Sequence, residues 1–400
     1  MSASNPFLTD ERLALQQTAR AFAMDEVLPL ANELDKRKAD IPRDFLRRMA
    51  AMGYFGIMIP REFGGMGLGV FEYALITEEL ARGWMSVASI IARGNGMGTQ
   101  VADPARRAEL LRKSAAGEWI GAAALSEPGA GSDLANVQCR AVRDGDEWCI
   151  TGEKRWCGNA LAADFIMLLA RTADPAPGEN RSRGLESFLV EKERDRFPDG
   201  LTGTPIDKIG YYGITTFHLV FDGLRVPGDA VLGARANASA HTPRGAGRAF
   251  NATMHGLNVA RIHTAARAIG LARGALEDSL AYAGERVQFG RPIGEFQAIR
   301  FKLADMATQV EAARALMYLV AERCDAGENI EKEAAMVKLF ATEMAERVTG
   351  EAIQVHGGNG YTTERAVERY WRDARLTTIF EGTSEIQRVI ISDRLLGRAR

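Results

Sequence analysis

The stretch TTIFEGTSEIQR (377–388) sets a single carboxylate, Glu381, between an apolar approach, Ile379 and Phe380, and a helical pattern. Ser384 and Gln387 have the spacing of a capping box, and Ile386, Val389, Ile390 and Leu395 follow at helical intervals. That predicts a helix from Ser384 onward and holds Glu381 on a short, fixed loop. In apolar surroundings, desolvation disfavours a charged carboxylate and strengthens it as a base, which suits removal of a poorly acidic proton. A solvated acid interacting with the helix N-terminus fits the same residues, so the stretch alone leaves two readings open.

Four further stretches carry chemistry. AALSEPGAGSD (123–133) offers backbone N–H groups and the hydroxyls of Ser126 and Ser132, enough to cradle a polar ring edge or an anion, or simply to form an irregular turn. GEKRWCGNA (152–160) contains Trp156, whose indole suits either stacking on a flat cofactor or burial in a core. ERVQFGRPIGEFQ (285–297) groups Arg286, Gln288 and Arg291 beside Phe289, a set suited to a pyrophosphate and an adenine. QVHGGNGY (354–361) has three glycines that permit close backbone approach to a ligand. No GxGxxG follows a predicted strand, and GxxxxGK[ST], HExxH and GxSxG are absent, which argues against nicotinamide, nucleotide-hydrolase, zinc-protease and esterase sites. His218, His241, His255, His263 and His356 give no ligand pair at useful spacing, although His255 and His263 share a segment, so no metal is expected.

These stretches need a scaffold, and 400 residues suffice for two or three domains. Lys plus Arg total 50 against 52 for Asp plus Glu, a balance that favours neither nucleic acid nor an anionic membrane as partner. Cys139, Cys149, Cys157 and Cys324 form no CxxC pair and read as free thiols. MSASNPFLTDERLALQQ lacks signal-peptide order, GRAR is no peroxisomal tripeptide, and no apolar run reaches bilayer length, so a soluble cytoplasmic protein is expected. Up to about residue 120 the pattern is helical, with Thr9 as a cap before Asp10 and Glu11, a periodic segment over Phe71–Ala81 and a glycine-rich loop at 59–69. A β region follows: Gln138–Arg143 and Glu147–Thr151 flank a turn, and 165–171, 186–192 and 218–226 are strand-length apolar runs. Too few helix-sized gaps separate these for a parallel βαβ sheet. Beyond about 250, Leu303, Met306, Val310, Ala313, Met317 and Val320 recur in the stripe of a packed helical bundle, the two methionines as core filler.

In this order and spacing, ALSEPGAGSD, GEKRWCGN, the segment ending Asn258-Val259-Ala260-Arg261, ERVQFGRPIGEFQ, QVHGGNGY and RDARLTTIFEGTSEIQR resemble the acyl-CoA dehydrogenase family over residues 8–397. The resemblance implies an α+β fold: a helical N-terminal domain (1–120), a middle β-sheet, barrel-like domain (121–235) and a C-terminal four-helix bundle (236–400). It implies one FAD per subunit, an acyl-CoA substrate, a homotetramer (or homodimer) and an electron-transfer flavoprotein as acceptor. Glu381 becomes the base that takes the α-proton of the thioester while a hydride leaves the β-carbon for the flavin.

By the same resemblance, Ala123, Leu125 and Ser126 meet the flavin's pyrimidine edge, and Trp156, Cys157 and Gly158 lie along the isoalloxazine. Arg286, Gln288, Phe289, Gln297, Gln354, Gly357 and Gly358 hold the pyrophosphate and adenosine, partly across a subunit boundary, and Thr383 and Glu385 contact FAD near the Glu381 turn. Ser132 approaches CoA, Asn258 and Arg261 lie near the pantetheine and the carboxylate, and Gly382 lines the thioester. Two departures stand out. Gly158 replaces a threonine found in many dehydrogenases, and KRWxGN is similar to the spelling in short-chain acyl-CoA oxidases, which keeps an oxygen-using oxidase open beside a silent CoA- or FAD-binding scaffold. The segment 233–250, with His241 and Arg244, is longer than the usual link and reads as a surface loop or an aid to the CoA 3′-phosphate. Acyl-chain selection is expected from 85–100 and 254–262, where Trp84, Met85, Met97 and Met254 suggest a filled, short pocket.

Overall fold

Thr9 caps the first helix as its position predicts: its hydroxyl accepts from the Arg12 N–H, and Asp10 and Glu11 occupy the first turn of α1 (Asp10–Phe22). The structure, a computed structural model, describes residues 5–233 and 248–397; His241 and Arg244 lie outside them. The N-terminal region continues through α2 (Leu28–Leu34), α3 (Arg43–Ala51), α4 (Val70–Gly83), α5 (Met85–Ile90) and α6 (Pro104–Ala115). Helix α4 is buried at every position but Glu72, the carboxylates of Glu78 and Glu79 included. Glu79 accepts from Arg273 at 2.6 Å and Glu78 from Arg314 at 3.0 Å, so its buried acids are paired with arginines of the C-terminal helices.

The middle region holds β1 (Gly121–Ala124), β2 (Arg140–Asp144), β3 (Glu147–Gly158), β4 (Phe165–Arg171), β5 (Leu185–Glu191), β6 (Leu201–Pro205) and β7 (Thr216–Pro227) in one curled sheet. β2 and β3 form the expected hairpin, Asp144 opposite Glu147 with Gly145 at φ 61° in the turn. β3–β7, β4–β5 and β6–β7 are also antiparallel, while β1 runs parallel to β4 and β2 meets β4 at the single parallel pair Arg140–Arg171. Ile166, Phe188, Leu219 and Phe221 fill the enclosed side.

The C-terminal region is built from α7 (Arg248–Glu285), a short hairpin of β8 (Val287–Gln288) and β9 (Arg291–Pro292), α8 (Gln297–Asp325), α9 (Glu331–His356), α10 (Val367–Thr377) and α11 (Ser384–Leu396). All six residues of the predicted stripe on α8 are buried, Met306 and Met317 among them. Helix α9 packs against α7, α8, α10 and α11. The cap of α11 differs from expectation by one residue. Thr383 is the N-cap and accepts from the Ile386 N–H, whereas Ser384 is already helical and Gln387 turns back to donate to the Gly382 carbonyl at 2.9 Å. No described helix is long and apolar enough to cross a membrane.

Candidate active site around Glu381

Glu381 sits between α10 and α11 with φ 54°, a left-handed conformation that is uncommon outside glycine and is held only where surrounding contacts enforce it. The enforcing contacts fall on the next residue. The carbonyl of Gly382 accepts from Lys338 Nζ at 2.7 Å and from Gln387 Nε2, and Gly382 itself has φ 88°. A Cβ on Gly382 would stand 2.6 Å from Gln387 Nε2 and displace that amide from the Gly382 carbonyl, while the left-handed backbone itself favours glycine. Lys338 is buried, which pushes its ammonium down to about 8 against the opposing pull of Glu381.

The carboxylate is not in purely apolar surroundings. Arg267 donates to Oε1 at 2.6 Å, and Thr264 donates to Oε2 at 2.5 Å. Arg267 is 2% exposed, lies over the Phe380 ring and also donates to Ser89. This corrects the dry, apolar setting inferred from the sequence: half of the environment is a charged clamp from α7. Arg261, Thr264 and Arg267 recur every third residue of one helix, and that spacing among alanines and isoleucines was the available signal for the clamp.

The other side of Glu381 faces a cavity of about 440 Å³. Tyr73, Met97, Leu125, Met167, Val259 and His263 line it, with contributions from the chain at 92–100 and 256–263. Tyr73 and His263 stack at 4.8 Å, and His263 Nε2 donates to the Ala88 carbonyl at 3.0 Å; burial holds its imidazole well below the ordinary range. Met97 therefore faces the cavity as expected, but Trp84 and Met85 are core residues without exposure, and the side chain of Met254 lies outside the described residues.

The remaining predicted residues divide by position. Leu125 reaches the cavity, and Ala123 accepts from the buried Cys157 thiol at 3.2 Å, which ties β1 to β3. Trp156 is 57% exposed at φ 69°, so it is no core tryptophan, while Gly158 beside it is buried. Ser126 is half-buried and its hydroxyl makes no hydrogen bond among the described residues; Ser132 is exposed on the same loop. Asn258 accepts from Arg261 at 2.6 Å and lines a second cavity of about 530 Å³ with Cys324 and 327–331. Thr383 and Glu385 line a third, with Arg347 and Trp371.

Arg286, Gln288, Phe289, Gln297, Gln354, Gly357 and Gly358 are all exposed at the far end of α7. Asn359 donates to the Tyr282 hydroxyl at 2.9 Å and fastens the glycine turn there. At 1.5 Å per residue, the helix puts Arg286 about 33 Å from Thr264.

The chain is also similar to known proteins along nearly its whole length. Residues 9–118, 122–224 and 247–396 match, in order, the N-terminal, middle and C-terminal domain models described as acyl-CoA dehydrogenase. The human mitochondrial short-chain specific acyl-CoA dehydrogenase is 38% identical over 97% of this chain and 91% of its own length. The butyryl-CoA dehydrogenase of Megasphaera elsdenii superposes with a TM-score of 0.88 at 33% identity, covering 97% of this chain and 99% of that one. A glutaryl-CoA dehydrogenase of Mycobacterium smegmatis in complex with FADH2 gives 0.88 at 26% identity, covering 100% and 97%. The helical, sheet and helical regions that converge on Glu381 are those of an oxidoreductase, and the chain belongs to the acyl-CoA dehydrogenase family.

Proposed function

We propose that the protein catalyses FAD-dependent α,β-dehydrogenation of an acyl-CoA thioester to the trans-2-enoyl-CoA, with Glu381 as the base, and passes the electrons to an electron-transfer flavoprotein. We assign its domains to 1–120, 121–235 and 236–400. The observation that carries the reading is Glu381 at the mouth between the clamp of α7 and the 440 Å³ cavity.

The residues present fit FAD. Trp156 exposes a flat indole beside a buried glycine, and Ser126 has an uncommitted hydroxyl. Ala123, Leu125, Ser126, Trp156, Cys157, Gly158, Thr383 and Glu385 would hold the flavin portion. The seven residues at the far end of α7 would serve the adenosine end of a neighbouring copy's cofactor, which suits a homotetramer or homodimer. Bound FAD would supply the two-electron acceptor for the hydrogen lost from the β-carbon.

The chain's own part is proton transfer and polarisation. The Glu381 carboxylate takes the α-proton, and Arg267 and Thr264 fix which oxygen is presented. The Glu381 N–H makes no hydrogen bond among the described residues and is available to a thioester oxygen. Such donors to a developing oxyanion are typically worth about 3–4 kcal/mol. Tyr73, Met97 and Met167 exclude water from the acyl chain. Ser132, Asn258, Arg261 and Gly382 would contact CoA.

The test is Glu381→Gln in FAD-loaded protein. Yellow protein whose flavin is no longer bleached by a C4–C16 acyl-CoA panel is expected. Bleaching at the wild-type rate would remove Glu381 as the base.

A further inference from the structure

Arg93 ends the 3-10 turn Ile91–Arg93, between the cavity-lining residues Ala92 and Gly94. Its guanidinium makes no hydrogen bond or ion pair among the described residues, and its Nε is buried without a partner. Nearly all buried donors in proteins are satisfied, so the orphaned Nε of this half-buried side chain marks a position that expects an acceptor.

The guanidinium lies against β3. A Cβ on Gly158 would stand 2.8 Å from Arg93 Nη2 and 3.3 Å from Ile214 Cγ2. Glycine at 158 thus leaves the guanidinium where it is, and a Cβ there would make it shift. The charge is felt locally: burial pushes the Cys157 thiol up to about 12, and Arg93 is the first of the groups opposing that rise. Lys208 and Lys154, the other cations nearby, are already committed, the first to the carbonyls of Tyr211 and Ile214 and to Thr216, the second to Glu127 and the Leu125 carbonyl.

We propose that Arg93 is a flavin-directed donor: its guanidinium faces a carbonyl oxygen of the isoalloxazine across Gly158 and stabilises the negative charge the ring gains on reduction. This rests on the reading of 156–158 as the flavin-facing strand. A neutral ring that receives two electrons and one proton becomes an anion, and a fixed cation favours that form over the oxidised one.

The midpoint potential of the FAD-loaded protein tests this directly. Arg93→Gln is expected to shift the flavin equilibrium at least tenfold toward the oxidised form, about 30 mV lower for a two-electron couple. Arg93→Lys should recover part of the shift. Gly158→Ala, which intrudes on the guanidinium without adding a donor, should lower the potential in the same direction, and the double variant should shift by less than the sum of the two. An Arg93→Gln protein with full flavin occupancy and wild-type potential overturns the proposal, as does Gly158→Ala at wild-type potential if the glutamine variant fails to fold. Wild-type protein that takes up no FAD at all would instead remove the function proposed above, and it shows separately as missing flavin absorbance.

Discussion

Arg267 and Glu381, 114 residues apart, form an ion pair at 2.6 Å in which the arginine is 2% exposed and the glutamate faces the cavity. Helix α7 thus supplies the counter-ion for a loop that the sequence places after α10. The pairing fixes the carboxylate's orientation while leaving one side open to a ligand.

Breaking that pair from the glutamate side leaves a buried guanidinium without compensation. Glu381→Gln should destabilise the fold by about 3 kcal/mol, read from urea unfolding. Adding Arg267→Met should recover most of the loss, because it removes the orphaned charge. A double variant no more stable than Glu381→Gln would show that the pair contributes nothing specific.

Gly382→Ala combines a left-handed backbone with a contact at 2.6 Å to Gln387. A loss of about 1–3 kcal/mol is expected, with slower flavin bleaching because the Glu381 loop must move. Thermal unfolding and single-turnover bleaching measured on one preparation would check both, and unchanged kinetics would separate the turn from catalysis.

Asp373 is fully buried, and burial together with the Asp35 charge raises its carboxyl from 3.8 to about 7, with Arg372 opposing. The folded state therefore holds a proton that the unfolded chain releases. Its stabilising contribution is complete below about pH 4 and is lost as pH rises toward 7. Asp373→Asn keeps an oxygen for the Tyr211 N–H, which Asp373 accepts at 2.6 Å. The variant should flatten the decline in urea midpoint between pH 4 and 8; an identical decline would place the titration elsewhere.

Trp156→Ala removes an indole that is 57% exposed, so folding should change by less than about 0.5 kcal/mol. FAD binding should weaken about tenfold from the lost stacking, as read by fluorescence titration of the apoprotein. Equal affinity would move the flavin off this strand.

The periodic elements were legible in the sequence because burial imposes period. Phe165–Arg171 is a strand over the residues its apolar run marks, and the α8 stripe is buried at each of its six positions. β1 and β6 were not legible: GAAA has no strand propensity, and LTGTP carries a glycine, a proline and two threonines, so both depend on partners β4 and β7. Thr383 rather than Ser384 caps α11 because two adjacent hydroxyl residues offer nearly equal caps, and the Gly382 carbonyl, held by Lys338 and Gln387, selects between them. Arg267 carried only its spacing from Arg261 and Thr264 as a signal, and Arg93 carried none. A lone arginine in an apolar helix or turn has the same letter whether its head group is solvated or buried, and only the tertiary packing distinguishes these cases.

Helix α7 also acts as a ruler with an angular scale. One residue inserted between Arg267 and Tyr282 would rotate everything beyond it by about 100°, turning the Arg286 hairpin and the Asn359 anchor away from their neighbours while leaving every side chain intact. Seven inserted residues would restore the facing to within about 20° but lengthen the span by about 10 Å. Phase and reach can thus be perturbed independently in this protein without substituting a single amino acid.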